Sequence, residues 1–313
     1  MISVVVVNWN AGPQLKTCID SITQFGGELL DRIIVVDNGS VDGSESAVEA
    51  VPHVTLIRAG KNQGFGKACN LGAKESDSDY LLFLNPDAAL FERTLSKVVN
   101  FMQAPANQEV GICGAQLIEE SGKVSRSCAR FPSVTGFLAH AVGLDRIFPG
   151  LGNSMAEWDH LADRKVDQVI GAFFFVRRRL FEQLQGFDER FFVYFEEVDF
   201  SYRARQAGWR SFYLADAQAF HAGGGTSNQV KARRLFYSLR SRLLYAFKLF
   251  SFPAAVAVLF TTLLIEPLAR SVLAVARGSL PGIKETWAGY LMLWAWLPRG
   301  LLITRRGHSY RNL

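Results

Sequence analysis

Three carboxylates fall within four residues at Glu196, Glu197 and Asp199, among Phe191, Phe192, Tyr194, Phe195 and Phe200. Like charges this close in apolar surroundings raise at least one carboxyl pKa, which suits a general base. The competing reading is a solvated helix start, because acids favour a helix's first turn. The aromatics weigh against full solvation. A second acid, Asp37, closes the run VVDNGS. It can accept hydrogen bonds from a nucleobase N–H or a ribose hydroxyl, or simply cap the turn made by Asn38, Gly39 and Ser40. A third acid ends Asn85-Pro86-Asp87. That tripeptide is good turn chemistry, and its carboxylate can also hold Mg²⁺ or Mn²⁺ beside a diphosphate. His221 precedes Ala222-Gly223-Gly224-Gly225-Thr226-Ser227 and is either structural or within reach of a diphosphate or its metal. The glycine run has neither the Gly-Lys-Ser/Thr ending of a phosphate loop nor dinucleotide-fingerprint spacing.

The flanking patterns describe what must position these groups. β-Branched runs at residues 2–7, 32–36, 54–58 and 80–84 read as buried strands. Helical stretches alternate with them, ending at Phe25 and covering residues 44–50 and 67–74. This strand–helix rhythm predicts an α/β fold with a mostly parallel sheet and right-handed crossovers. Ligands then bind beyond the carboxyl ends of the strands, where Asp37 and Asp87 stand. Residues 131–165, punctuated by Pro and Gly, read as a mobile loop or lid. Residues 169–176 form a further apolar run, and SYRARQAG at 201–208 reads as helix.

The net charge is +5, which suits anionic partners. No acid occurs from Ala217 to Ile265, while Lys231, Arg233, Arg234, Arg240, Arg242 and Lys248 do. Leu235, Leu239, Leu243, Ala246 and Phe250 recur at helical spacing. Residues 252–265 carry no charge, and the tail after Glu285 is basic and rich in Trp. This predicts amphipathic helices lying on an anionic membrane, with a spanning helix, a core helix pair or an oligomer contact as alternatives. Cys18, Cys69, Cys113 and Cys128 form no C-x-x-C pair and read as buried free thiols. The start MISVVVVNWN has no basic leader, so a cytoplasmic catalytic part is expected.

Taken together, the motifs resemble the family-2 glycosyltransferases of the GT-A fold, in the rhamnosyltransferase-like branch of bacterial surface polysaccharide synthesis. The stretches that carry the likeness are VVVVNWN (4–10), VVDNGSVDGS (35–44), NQGFGKACNLG (62–72), LLFLNPDA (81–88), GAFFFVRR (171–178), GFDERFFVYFEEVDFSYRARQAGW (186–209) and His221. The resemblance implies a Rossmann-like catalytic domain over 1–225, followed by a helical, membrane-associating region over 226–313. It implies that Asp37 and the 62–70 loop hold nucleobase and ribose. The donor site would comprise Asn8, Asn10, Asp37, Asn38, Ser40, Asn62, Gly64, Asn70, Asn85, Asp87 and Gly171. Asp87 stands at the metal acid of the family's D-x-D motif, with Asn85 replacing the first acid, and His221 is the second candidate ligand. Glu197 matches the second acid of the family's Glu-Asp pair, the base, with Glu196 and Asp199 as alternates.

The expected reaction is inverting transfer from a dTDP- or UDP-sugar, L-rhamnose first, to a lipid-linked saccharide. Mg²⁺ or Mn²⁺ would assist, at the cytoplasmic face of the inner membrane in peripheral or monotopic attachment. Nucleic acid is not an expected partner, and the oligomeric state is left open. A nucleotidyltransferase would need a basic Gly-rich loop after the first strand, which NWNAGPQ lacks. A non-enzymatic membrane scaffold would have no need of Asp87 together with the 196–199 acids.

Overall fold

A computed structural model of the chain describes residues 1–223 and 230–306. Along the chain run β1 (Ile2–Asn8), α1 (Pro13–Phe25), β2 (Leu30–Asp37), β3 (Val54–Arg58), α2 (Phe65–Ala73), β4 (Tyr80–Leu84), β5 (Ala88–Leu90) and α3 (Thr94–Gln103). Next come β6 (Val110–Ile118), β7 (Cys128–Ala129), α4 (Val134–Val142), α5 (Leu144–Ile147), β8 (Arg164–Val166), β9 (Gln168–Val169), β10 (Phe173–Arg177) and α6 (Arg178–Gln183). The remainder is α7 (Glu196–Gln206), β11 (Arg210–His221), α8 (Lys231–Leu249), α9 (Phe252–Phe260), α10 (Glu266–Ala276) and α11 (Leu280–Arg306).

These elements form two compact units. The first gathers Met1–Phe131, Trp158–Phe192 and the described residues from Glu196 to Gly223. Its main sheet has the order β3-β2-β1-β4-β10-β6-β11-β5, with β8 also on β11. β1, β2, β3 and β4 pair in parallel, as expected for strands joined through helices. β10 is antiparallel to both its neighbours, and β6 and β11 are again parallel. Every residue of β1 and β4 is buried, so the continuous apolar runs are strands covered on both faces. The core joins Val4 and Val6 of β1, Leu15 and Ile19 of α1, Leu82 of β4, and Val98 of α3.

The second unit contains Pro132–Glu157, Val193–Phe195 and the described residues from Val230 onward. Here the structure corrects one expectation in part. Part of 131–165 is helix and not loop, in α4 and α5: Ser133 caps α4 by accepting from the Gly136 N–H, and Gly143 at φ 77° ends it. The uncharged run at 252–265 continues past Glu266, whose charge pairs with Arg270 four residues on, as the longer-helix alternative requires. α9 passes through a π-helical segment, Thr261–Ile265, into α10, giving one helix over Phe252–Ala276. Pro267 lacks an N–H, and its ring would clash with the carbonyl four residues back, at Leu263. That carbonyl lies inside the π segment, where the turn is widened.

Candidate active site

The turns after β1, β2 and β4 lie at one end of the parallel strands, and a hydrogen-bond network joins the first two. Asn8, fully buried at the end of β1, donates from Nδ2 to Asp37 Oδ1 at 3.0 Å, Ser40 Oγ at 3.1 Å and Ser44 Oγ at 2.9 Å. The Asn10 N–H donates to Ser40 Oγ at 3.0 Å, and Asn10 Oδ1 accepts from the Val41 N–H at 2.8 Å. Asp37 also accepts from the Ser40 N–H at 3.3 Å. Ser44 belongs to this network although the sequence reading did not single it out. Its position within VDGS, a turn rich in side-chain acceptors, was the available signal.

Asn38 carries the network onward. Its Nδ2 donates to Asn62 Oδ1 at 3.1 Å, and its Oδ1 accepts from the Gln63 N–H at 2.8 Å. Asn62 Oδ1 also accepts from the Gly64 N–H at 3.0 Å. Gly64 takes φ 94°, and a Cβ there would sit 2.5 Å from the Phe192 carbonyl oxygen. The next N–H, of Phe65, donates to that same oxygen at 2.7 Å. Only glycine fits so close an approach at positive φ. Asn70 is occupied elsewhere on α2: it donates to the Phe187 carbonyl at 2.9 Å and accepts from the Phe187 N–H at 2.9 Å. The 62–70 segment is thereby fastened to the segment leading to the acidic cluster.

That cluster forms the first turn of α7. Tyr194 and Phe195, immediately before it, both have left-handed φ, 68° and 73°. Nothing in their residue types signals this, since left-handed backbone ordinarily falls to Gly, Asn or Asp. The three acids have different surroundings. Asp199 is fully buried and accepts from Arg203 Nε at 2.8 Å; Arg203 also donates to the Leu184 and Gly186 carbonyls at 2.7 and 2.9 Å. Glu196 is 4% exposed and packs beside α2, where a Cβ on Gly66 would stand 3.3 Å from its own Cβ. Glu197 is half-buried. The Oε2 atoms of both Glu196 and Glu197 are buried without a hydrogen-bond partner among the described residues. Burial pushes both carboxyl pKa values up, and the charge of Glu197 adds to the effect on Glu196. Backbone N–H groups of Glu197 and Val198 act the other way on Glu197. The pair also reaches Cys69 on α2, whose thiol is held far above its ordinary range by burial and then by the two nearby acids.

Asp87 lies within the turn at the end of β4. The Asn85 N–H donates to the Ala172 carbonyl at 3.0 Å, and the Ala88 N–H closes the turn on the Asn85 carbonyl at 3.0 Å. Gly171, next to Ala172, is half-buried, with Phe65 as the neighbour a Cβ would meet, at 3.8 Å. β5 then pairs with the end of β11, setting His221 opposite Ala88. His221 Nε2 and Asp87 Oδ1 are 3.4 Å apart, with side chains 12% and 11% exposed. The glycine and hydroxyl residues at 224–227 lie outside the described residues. Among the described residues, no three His, Cys, Asp or Glu side chains gather to hold a metal ion by themselves. One carboxylate and one imidazole form a partial donor set. It suits a hard divalent cation that keeps substrate phosphate oxygens and water as its other ligands.

The chain matches known proteins along its length. The glycosyl transferase family 2 profile matches residues 3–185. The N-acetylglucosaminyl-diphospho-decaprenol L-rhamnosyltransferase of Mycobacterium tuberculosis is 30% identical over 250 residues, 75% of this chain and 80% of that protein. The rhamnosyltransferase WbbL of Escherichia coli is 24% identical over 255 residues, 78% of this chain and 92% of that protein. Among solved structures, the mannosyltransferase PcManGT from Pyrobaculum calidifontis, in complex with GDP-Man and Mn²⁺, aligns with a TM-score of 0.55 at 20% identity. That alignment covers 100% of this chain and 88% of that one, and the likeness is one of fold, the GT-A fold. With the profile spanning more than half of its residues, the chain belongs to glycosyltransferase family 2 and is a glycosyltransferase.

Proposed function

We propose that the chain is an inverting transferase moving L-rhamnose from dTDP-L-rhamnose to a hydroxyl of a lipid-linked oligosaccharide at the cytoplasmic face of a membrane. The relative named as an N-acetylglucosaminyl-diphospho-decaprenol L-rhamnosyltransferase supports both the sugar and the acceptor class. The observation that carries the mechanism is the unequal state of the three acids. Asp199 is tied to Arg203, and Glu196 is buried against α2. Glu197 is half-buried, has a raised pKa and keeps an Oε2 without a protein partner among the described residues. A buried oxygen left in that state calls for an explanation, and the acceptor hydroxyl supplies one.

In this reading Glu197 accepts the acceptor's hydroxyl proton. The freed oxygen forms its bond to the anomeric carbon as the bond from that carbon to the diphosphate oxygen breaks. The electron pair leaves with the nucleoside diphosphate, and attack from the opposite face inverts the anomeric configuration. Asp37, held by Asn8, accepts from the base or ribose, with the Asn10, Ser40, Asn38 and Asn62 network fixing the turn around it. Gly64 admits the Phe192 backbone that fixes the 62–65 turn beside the donor, and Gly171 lines the donor site next to Phe65. Asn85 shapes the turn that presents Asp87, and Asn70 braces the 62–70 segment. Asp87 and His221 are the residues that would hold Mg²⁺ or Mn²⁺; when bound, the cation neutralises charge on the diphosphate.

A transfer assay with dTDP-, UDP- and GDP-linked sugars and a polyprenyl-diphosphate N-acetylglucosamine acceptor tests the substrate assignment. The expected result is transfer from dTDP-L-rhamnose, with dTDP a better inhibitor than GDP. Equal inhibition by all nucleoside diphosphates, or preferred transfer from another donor, would overturn the rhamnose assignment.

A further inference from the structure

The basic character of the chain is confined to its second unit. Residues 132–157 and 227–313 together carry fourteen Lys and Arg against four Asp and Glu, whereas the rest of the chain carries twenty against twenty-five. In the same unit the helix Phe252–Ala276 is sharply two-sided. Its buried positions include Ala255, Val258, Thr262, Glu266 and Ala274. Its exposed large side chains are Phe252, Val256, Phe260, Leu264, Ile265, Leu268, Val272 and Val275, at intervals that keep them on one stripe. Phe252 is 70%, Phe260 60% and Val272 69% exposed. Not one exposed residue of this helix is charged.

Soluble surfaces rarely carry an apolar stripe this long, and such patches mark contact sites. The surrounding excess of cations selects an anionic occupant, and a bilayer with acidic headgroups combines that charge with an apolar interior. The charged residues of the helix decide how it meets the bilayer. Glu266 is 1% exposed; it pairs with Arg242 of α8 and accepts from Arg270 at 2.9 and 2.7 Å. The helix packs on α8 and α11, and these carry Arg233, Arg234, Lys248, Lys284 and Arg299 on their own length. A transmembrane pose would draw that charge into hydrocarbon, where each ion is costly. An in-plane pose immerses only the stripe.

We propose that the Phe252–Ala276 helix is a monotopic insertion surface. Its stripe lies in the headgroup–acyl boundary of an anionic bilayer, and the Glu266–Arg242–Arg270 cluster locks the polar face onto the protein. This rests on the membrane-side reading above, but it concerns how the unit meets lipid and not which sugar is moved.

The test uses the full chain and vesicles of phosphatidylglycerol and phosphatidylcholine. The four native cysteines are buried, so single cysteines introduced at Val256, Leu264 and Val272 take a nitroxide label selectively. An in-plane helix places all three labels at one shallow depth, about 5–10 Å below the headgroups. A gradient that deepens at Leu264 and rises at either end would mean a span and overturn the proposal. Labels that stay in water, or that are shielded by a second copy in the absence of lipid, would also overturn it. As a companion measurement, Phe260→Glu with Val272→Glu should weaken vesicle binding roughly tenfold or more. Transfer to a soluble acceptor analogue should be unchanged. Undiminished vesicle binding by this doubly charged variant would contradict the stripe. Failure of the rhamnose assay would leave both lipid readouts standing, so the two proposals fail separately.

Discussion

Asp199 and Glu197 are two residues apart on the first turn of α7, yet they are suited to different work. Asp199 spends its charge on Arg203, which also fastens the Leu184 and Gly186 carbonyls. Asp199→Asn should therefore lower folding stability by about 1–3 kcal/mol, the cost of leaving a charged hydrogen-bonding group incompletely matched. Chemical denaturation measures it, and an unchanged midpoint would contradict the structural role. As the proposed base, Glu197 would act only when ionised, and burial raises its pKa. The rate should accordingly fall as pH drops, with a midpoint above the ordinary carboxylate range. Stability runs the opposite way. A carboxyl whose folded pKa is raised binds its proton more tightly in the folded state, so Glu196 and Glu197 favour folding at pH below their unfolded values. That contribution is lost as pH climbs from the ordinary carboxylate value through the raised one. Glu196→Gln should then raise the Tm at neutral pH by removing this cost, read by calorimetry at two pH values; a lower Tm at neutral pH would contradict it.

At the scale of elements, the site is a set of strand ends clamped to one helix start. Gly64 is the sharpest clamp, since it combines φ 94° with a would-be Cβ 2.5 Å from the Phe192 carbonyl. Gly64→Ala must shift either the 62–65 turn or the Phe192 backbone. The expected outcome is a loss of about 1–3 kcal/mol in stability together with a raised donor KM, measured by denaturation and initial rates; wild-type values for both would contradict the clamp. Much of this level is legible in the sequence because its signals are local. Short apolar runs such as VVVV and LLFL, bounded by the turn formers Asp-Asn-Gly and Asn-Pro-Asp, favour buried strands ending in turns, so Asp37 and Asp87 are placed at strand ends without a structure. Three features are not legible from such patterns. The left-handed pair Tyr194–Phe195 has no glycine to announce it. The Asp199–Arg203 tie does have a signal, its four-residue spacing, but the spacing does not say that Asp199 is buried. Glu266 has a local partner in Arg270, four residues on, but its second partner, Arg242, lies twenty-four residues away, and no local pattern shows that one.

For the molecule as a whole, the charge asymmetry separates the two units: the proposed donor and base residues lie in the first, and the second is cationic. The proposed metal dependence belongs at this scale, because Asp87, in the turn between β4 and β5, and His221, at the end of β11, are distant in sequence. EDTA is expected to abolish transfer and Mn²⁺ or Mg²⁺ to restore it. Asp87→Ala should weaken nucleoside diphosphate binding far more than nucleoside binding in calorimetric titrations. Full activity in EDTA would contradict the role given to Asp87. The central claim, however, is that a nucleotide-sugar is attacked by a hydroxyl which Glu197 deprotonates. Single-turnover transfer from dTDP-L-rhamnose by wild-type and Glu197→Gln enzyme tests it most directly. The account predicts transfer with inverted anomeric configuration by the wild type. It predicts a fall of about 10²–10⁴ in rate for the variant, with donor affinity nearly unchanged. A Glu197→Gln enzyme within threefold of wild type, beside an inactive but folded Asp199→Asn, would contradict it and move the base to Asp199.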